Sequence, residues 1–261
     1  MPASSPETPI RPAILVTGGA KRIGAAIVRR FAAEGWHAVI HCHHSRGEAE
    51  ELAASLPSAE VVQCDLFDSE AAIAMIETLA ARLPDWRVLV NSASIFIPDE
   101  ATGLDPETSR LSMRINAVSP VRMAQAFLAH ARSAAGRRVI AVTDQKLANP
   151  NPDFFSYTMS KHALAATVPM LAMADTHPLD RSYALAPGAI LPSHDQQPRE
   201  FEVSGRLNLL KRLTGADEVA DAAWFLAQGW LESGSTLFVD SGQHLLSQPR
   251  DVLYLAREGA G

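Results

Sequence analysis

The sequence predicts an α/β domain built on a doubly wound parallel sheet of about seven strands, with helices on both faces. Three observations predict it. Short apolar runs that suit buried strands alternate with helical patterns along most of the chain. The first run, Ala13 to Val16, ends in a glycine-rich turn, Thr17-Gly18-Gly19-Ala20-Lys21-Arg22-Ile23-Gly24, that opens a helix. No linker divides the 261 residues, a length that suits one large domain.

The elements follow in order. After the turn, Ile23, Ile27 and Phe31 recur at helical spacing until Gly35. His37 to His41 reads as the second strand, Gly47 to Leu56 as a helix, and Val61 to Cys64 as the third strand. Ser69 reads as the N-cap of a helix that buries Ile73, Ile76, Leu79 and Leu83. Arg87 to Val90 is the fourth strand. A long helical stretch runs from Pro106 to Ser133, bent at Pro120. Arg138 to Thr143 is the fifth strand, followed by a polar loop, Asp144 to Asp153. Phe154 to Ala174 is a long helix with a kink at Pro169. Arg181 to Leu185 is the sixth strand, ending at Pro187-Gly188. Residues 189–212 read as an irregular lid. Thr214 or Asp217 caps a helix to Gln228, and Ser235 to Asp240 is the last strand. The domain thus spans 13–246, between a disordered leader, 1–12, with four prolines, and a C-terminal tail, 247–261.

Composition narrows the functional classes. Hydrophobic residues make up 47% and charged residues 20%, as in an ordinary globular protein. A net charge of −6 argues against a general affinity for nucleic acid. No apolar run reaches the ~20 residues of a membrane span. Cys42 and Cys64 read as free thiols in a reducing, cytoplasmic setting.

The turn at Gly18 carries the first chemistry. Gly18 and Gly19 let a phosphate approach the backbone, Gly24 brings the helix onto the sheet, and the free N–H groups at Ile23 and its neighbours face a pyrophosphate. An acid about 20 residues later would select a free ribose 2′-hydroxyl. The chain has none there. Its His41-Cys42-His43-His44-Ser45-Arg46 stretch, with Arg22, offers donors to a 2′-phosphate, which selects NADP(H). A plain polar loop is the other reading. A metal site at Cys42 and the histidines does not match structural zinc spacing, so no metal is expected.

Tyr157 and Lys161 share a helix face four residues apart. A phenol with a pKa of ~10 needs a nearby cation to serve as a proton donor near neutrality, and Lys161 supplies one. Asp144, at the end of the fifth strand, opposes Lys161 and keeps the proton on the phenol, biasing the pair toward reduction. A surface Tyr–Lys pair, and a helix cap or loop anchor at Asp144, remain the bland alternatives. Asn91, Ala93 and Ser94 end the fourth strand where a nicotinamide ribose belongs, and Phe96 follows. Asn116 is an amide within a helix, placed to hold a kink, a water chain or nothing but solvent.

Taken together, these residues resemble the short-chain dehydrogenase/reductase family, a Rossmann-type fold, from Ala13 to about Leu246. The turn, Asp65-Leu66, Asn91-Ser92-Ala93-Ser94, Asn116, Tyr157-x-x-x-Lys161 and Pro187-Gly188 fall in family order. The resemblance implies that Asn116, Tyr157 and Lys161 form a proton relay and that Lys161 also holds the nicotinamide ribose. It places Asp65 at the adenine and Leu66, Pro187 and Gly188 along the cofactor. It further implies a homo-tetramer whose tail reaches a neighbouring subunit; a frayed terminus with a short helical turn is the alternative. Asp144 stands where the family usually has serine, and Arg22 where it usually has glycine. Arg22, Ser94, Phe96 and Asp144 resemble the pteridine reductase branch. In that branch the arginine meets cofactor phosphate, the serine and aspartate meet substrate, and the phenylalanine stacks on a pterin. The His41-x-His43-x-Ser45 stretch is similar to its 2′-phosphate site. Asp144, Tyr157 and Phe96 are then substrate contacts, and the expected substrate is a pterin or a dihydrofolate-like compound. Another carbonyl reductase of the same fold, or a non-catalytic NADP(H) sensor, are the competing classes.

Overall fold

A computed structural model describes residues 10–174, 177–193 and 196–258. Most of the expected leader, and His194 and Asp195 of the expected lid, lie outside the described residues. Seven parallel strands form one sheet in the order β3-β2-β1-β4-β5-β6-β7. They are β1 (Ala13–Val16), β2 (His37–Cys42), β3 (Ala59–Gln63), β4 (Trp86–Asn91), β5 (Arg138–Val142), β6 (Arg181–Pro187) and β7 (Thr236–Val239). The order reverses between β1 and β4, so a crevice opens at the carboxyl ends of those strands.

Strand alternation builds the two cores. Ile14 and Val16 of β1 face one side, with α1 (Arg22–Ala33), α2 (Arg46–Ala54) and α8 (Ala216–Ala227). Ala13 and Leu15 face the other, with α3 (Ser69–Arg82) and α5 (Ser119–His130). Ile27 and Phe31 of α1 and Ile76 and Leu79 of α3 are essentially excluded from solvent. Each such side chain contributes about 1.5–3 kcal/mol of burial. Trp36 and Trp224 meet the Phe31 ring edge-on, at 5.1 Å each, and lock α1 to α8.

The structure corrects several boundaries. Asp68, not Ser69, caps α3: its carboxylate accepts the N–H groups of Glu70 and Ala71 at 3.0 and 3.1 Å. Ser69 is buried and takes the Arg122 guanidinium at 2.6 Å. The expected helix of 106–133 is three pieces: α4 (Pro106–Met113), a π-helical turn (Arg114–Val118), and α5. Pro120 lies in the first turn of α5, and the backbone widens before it, because proline offers no N–H to the preceding turn. The helix α6 (Phe155–Ala174) continues through Pro169. The lid is not irregular throughout, since it contains α7 (Pro198–Ser204), where Glu200 accepts the Gln197 N–H at 2.9 Å. Gly215 precedes α8, its N–H held by Glu218 at 2.9 Å, while Thr214 bonds Ser241 instead. The tail forms α9 (Val252–Glu258) and packs on its own chain against α7 and the loop after β5. No helix among the described residues is long and apolar enough to cross a membrane.

Candidate active site

The glycine turn is held from below. Thr17 Oγ1 accepts the N–H groups of Ser92 and Ala93, both at 3.0 Å, and so clamps the turn to the end of β4. Gly18 has φ +63°, and a Cβ on Gly24 would lie 2.3 Å from Gly18 O, so neither position tolerates a side chain. The first helical acceptor in α1 is filled by Ala25 N–H, at 3.1 Å from Lys21 O. The N–H groups of Ile23 and Gly24 therefore have no acceptor within α1, as an anion site requires. With basic donors at the end of β2, these features fit a phosphorylated dinucleotide.

His41 does not serve the 2′-phosphate. It is buried, its Nδ1 accepts the Gly18 N–H at 3.2 Å, and its Nε2–H donates to Cys64 O at 3.0 Å. Burial pushes its pKa from 6.5 down to about 4, so the ring stays neutral behind the turn and holds it. The unfolded chain takes up this proton at higher pH than the folded one. Stability is therefore full above about pH 6.5 and declines as pH falls toward 4, by about 3 kcal/mol. Urea unfolding of wild type and His41→Gln across this window checks it. The variant should be weaker near neutrality but lack this part of the acid loss; a loss of equal depth in both would contradict the assignment.

Arg22 also departs from expectation. It takes φ +54°, and its guanidinium donates to Pro192 O at 2.8 Å and Leu191 O at 3.4 Å, in the segment after β6. It therefore points away from the end of β2, toward the segment that follows β6. Lys21, which sequence reasoning passed over, points the other way and pairs with Glu48 in the first turn of α2. The end of β2 also carries the tilted rings of His43 and His44 (3.6 Å apart), Ser45 at the start of α2, and Arg46, which Glu50 holds at 2.7 Å.

The remaining cofactor candidates line the same edge. Asp65 lies 4.0 Å from His43 and accepts the Phe67 N–H at 2.9 Å. Leu66 is buried, and its carbonyl accepts the Ser119 hydroxyl at 2.6 Å. Asn91 donates to Pro120 O at 3.1 Å and ties β4 to α5. Gly188 sits against Gln243, whose Oε1 would be 2.6 Å from an added Cβ. The Pro187-Gly188 end of β6 is thereby fixed beside Ala189, whose N–H the same Oε1 accepts at 2.9 Å.

The reactive groups converge at the ends of β4 and β5. Tyr157 donates its phenol hydrogen to Asp144 Oδ2 at 2.8 Å. Lys161, on the same face of α6, donates to Val142 O at 2.8 Å, with its ammonium 5.6 Å from the Tyr157 ring. Asn116, in the π-helical turn, accepts the Ile95 N–H at 2.9 Å and donates to Ser160 Oγ at 3.1 Å. Ser160 in turn donates to Tyr157 O at 2.6 Å. The widened turn thus aims the Asn116 amide at α6. Ser94 reaches Asn116 Oδ1 at 3.2 Å.

Burial sets the proton affinities. It pushes the Tyr157 phenol well above 10, and the adjacent Asp144 charge pushes it further. It raises Asp144 against the opposing charge of Lys146. It lowers Lys161 to about 8, with Asp144 pulling the other way. This is a phenol that keeps its proton until a stronger base forms beside it.

Phe96 meets the Tyr157 ring edge-on at 4.7 Å, and one of its faces is stacked on Phe154 at 3.9 Å. Phe154 takes φ +53°, a conformation strained for an aromatic residue. It is buried, with Leu253 of α9 in the same cluster. Asp99 accepts the Ser156 N–H at 2.9 Å and caps α6 from outside the helix. Neither the Phe154 stack nor the α9 wall is visible in the spacing of residues along the chain.

Residues 18–244 match the family model described as Enoyl-(Acyl carrier protein) reductase, and the chain belongs to the short-chain dehydrogenase/reductase family of oxidoreductases. Pteridine reductase 1 of Leishmania tarentolae is 29% identical, over 91% of this chain and 98% of its own. A ketoacyl reductase of the granaticin polyketide synthase of Streptomyces violaceoruber is 28% identical, over 94% and 100%. A crystal structure of FolM alternative dihydrofolate reductase 1 from Brucella canis, complexed with NADP, superposes with a TM-score of 0.85. It is 33% identical and covers 93% of this chain and 97% of that one.

Proposed function

We propose that the protein is an NADPH-dependent reductase of a pterin or dihydrofolate-like ring. The observation that carries this reading is the 2.8 Å hydrogen bond from Tyr157 to Asp144, a carboxylate where the family usually places a serine hydroxyl. A carboxylate pairs with the amino and ring N–H groups of a pterin, which a hydroxyl serves poorly. The resemblance to pteridine reductase 1 and the NADP complex of FolM support the same substrate class and cofactor.

NADPH supplies the hydride when bound. The N–H groups of Ile23 and Gly24 and the Arg22 guanidinium would meet its pyrophosphate, and Lys161 its nicotinamide ribose. Asn91, Ala93, Ser94, Pro187 and Gly188 would flank its nicotinamide, and Asp65 and Leu66 would lie at its adenine. A flat substrate ring lies along Phe96, with its polar edge toward Ser94 and Asp144. Tyr157 Oη would give its proton to the nitrogen of the C=N bond being reduced. Lys161 would offset the charge left on the phenol, and a proton from solvent would return to it, either along a water chain ending at Asn116 or taken up and passed on by the Asp144 carboxylate.

Because the paired phenol holds its proton tightly, reduction outruns the reverse reaction near neutral pH. Steady-state rates in both directions check this; alcohol or tetrahydropterin oxidation as fast as reduction would overturn it. The cofactor reading has its own test. Lys21→Ala, with His44, Ser45 and Arg46 intact, should weaken NADPH about tenfold while leaving NADH unchanged, the lower end of a charge-assisted phosphate contact for an exposed cation. Arg22→Gly should weaken both cofactors alike. NADPH affinity unchanged in Lys21→Ala would remove that residue from the 2′-phosphate site.

We also infer a homo-tetramer from the family. The exposed Met170 and Met173 of α6, and Phe225 and Trp230 in and after α8, support association between copies. Light scattering tests it, and a monomer in solution would contradict it.

A further inference from the structure

Behind the Tyr157–Asp144 pair lies a second set of charges that the reaction described above leaves unused. Lys146 follows Asp144 by two residues, and its backbone N–H donates to Asp144 Oδ1 at 2.8 Å. Its side chain turns inward and is 4% exposed. There the ammonium pairs with Asp251 at 2.6 Å, donates to Asp153 O at 3.3 Å, and lies 5.1 Å from the Phe154 ring. Asp251 is itself buried, and its N–H donates to the buried carboxylate of Asp153 at 2.7 Å. Arg250 closes the set, 2.8 Å from Asp153. Two ion pairs thus bolt the C-terminal segment to the loop that carries Asp144, and Leu253 then packs in the cluster of Phe154 and Tyr157.

A buried ion pair is an expensive way to gain stability, since a well-packed apolar pair does as well or better. Its value here is positional. We propose that Lys146, gripped by Asp251, is a positioning residue for the proton donor: it fixes the Asp144 carboxylate in place and in charge, and makes the C-terminal segment part of the reaction site of its own chain. The proposal rests on reading Tyr157 and Asp144 as the proton-donating pair. The titratable and charged groups around Asp144 are Lys146 on its own loop, Tyr157 and Lys161 on α6, and Asp251 on the C-terminal segment, with Asp153 and Arg250 beyond. Of these, Lys146 opposes the burial of the Asp144 charge most strongly, ahead of Lys161.

The test needs no substrate, so it stands apart from the assignment of a pterin. The titration of Asp144 is followed by carboxyl carbon-13 NMR, with the resonance assigned by its absence in Asp144→Asn. Lys146→Met should raise the proton affinity of Asp144 about tenfold, and Lys146→Arg should leave it near wild type. Because Lys146→Met strands the Asp251 charge, the double variant Lys146→Met/Asp251→Leu, which leaves no unpaired charge, should show the same rise in a chain that folds. Hydrogen exchange at 252–258 should quicken in Asp251→Asn and stay slow in Lys146→Arg. An Asp144 titration unmoved in both methionine variants, or unchanged exchange in Asp251→Asn, overturns the proposal. A rise in Asp144 proton affinity with no pterin turnover by wild type would instead keep the proposal and reject the substrate.

Discussion

Tyr157→Phe should lose about 10²–10⁴-fold in turnover with NADPH while retaining NADPH binding. Phenylalanine keeps the ring and its edge-on contact with Phe96, so the wall of the crevice is preserved. Only the hydroxyl disappears, and with it the proton whose hydrogen bond to Asp144 organises the site. Lys161 remains to hold the cofactor ribose, which separates binding from chemistry. Stopped-flow NADPH oxidation and cofactor fluorescence titration read the two halves. A loss under about tenfold would mean that water supplies the proton and that the phenol only fills space.

Asp144→Ser restores the residue usual in the family, and its effect should depend on the substrate. A pterin loses a charge-assisted hydrogen bond worth about 1.5–3 kcal/mol, so kcat/KM should fall between about tenfold and two-hundredfold. A simple ketone, which presents one carbonyl oxygen and no donor, should lose little. The same substitution removes the negative charge that raises the Tyr157 phenol. Alcohol oxidation should therefore improve relative to reduction, shown by comparing the two directions in wild type and variant. Equal losses on pterins and ketones would undermine the role given to the carboxylate.

What could be read along the chain is local. Gly18 and Gly24 announce a turn because their freedom is a property of single residues, and Tyr157 and Lys161 announce a face because helical geometry is fixed. Asp144 was legible as the acid that follows the end of a strand. Directions of side chains were not. His41 and His43 are alike in sequence, yet the strand buries the first behind the turn and leaves the second at the crevice. Arg22 and Lys21 are adjacent, yet the positive φ at Arg22 sends one toward the loop after β6 and leaves the other at α2. Lys146 and Asp251 meet only because the C-terminal segment folds back across the site, and no local pattern marks that return. The π-helical turn was equally hidden, although Pro120 and Asn116 both sit at it for reasons that are plain once the helix is seen to widen.

The claim at the centre of the account is that a carboxylate paired with the proton-donating phenol selects a pterin-like ring. The most direct measurement is kcat/KM for NADPH oxidation by the wild-type protein against dihydropterins, dihydrofolate, a 3-oxoacyl thioester and simple ketones. The account predicts that a dihydropterin or dihydrofolate exceeds every ketone and the thioester by about a hundredfold or more, the scale of a charge-assisted hydrogen bond that only the pterin can make. A thioester or ketone reduced as well as, or better than, every pterin would contradict it.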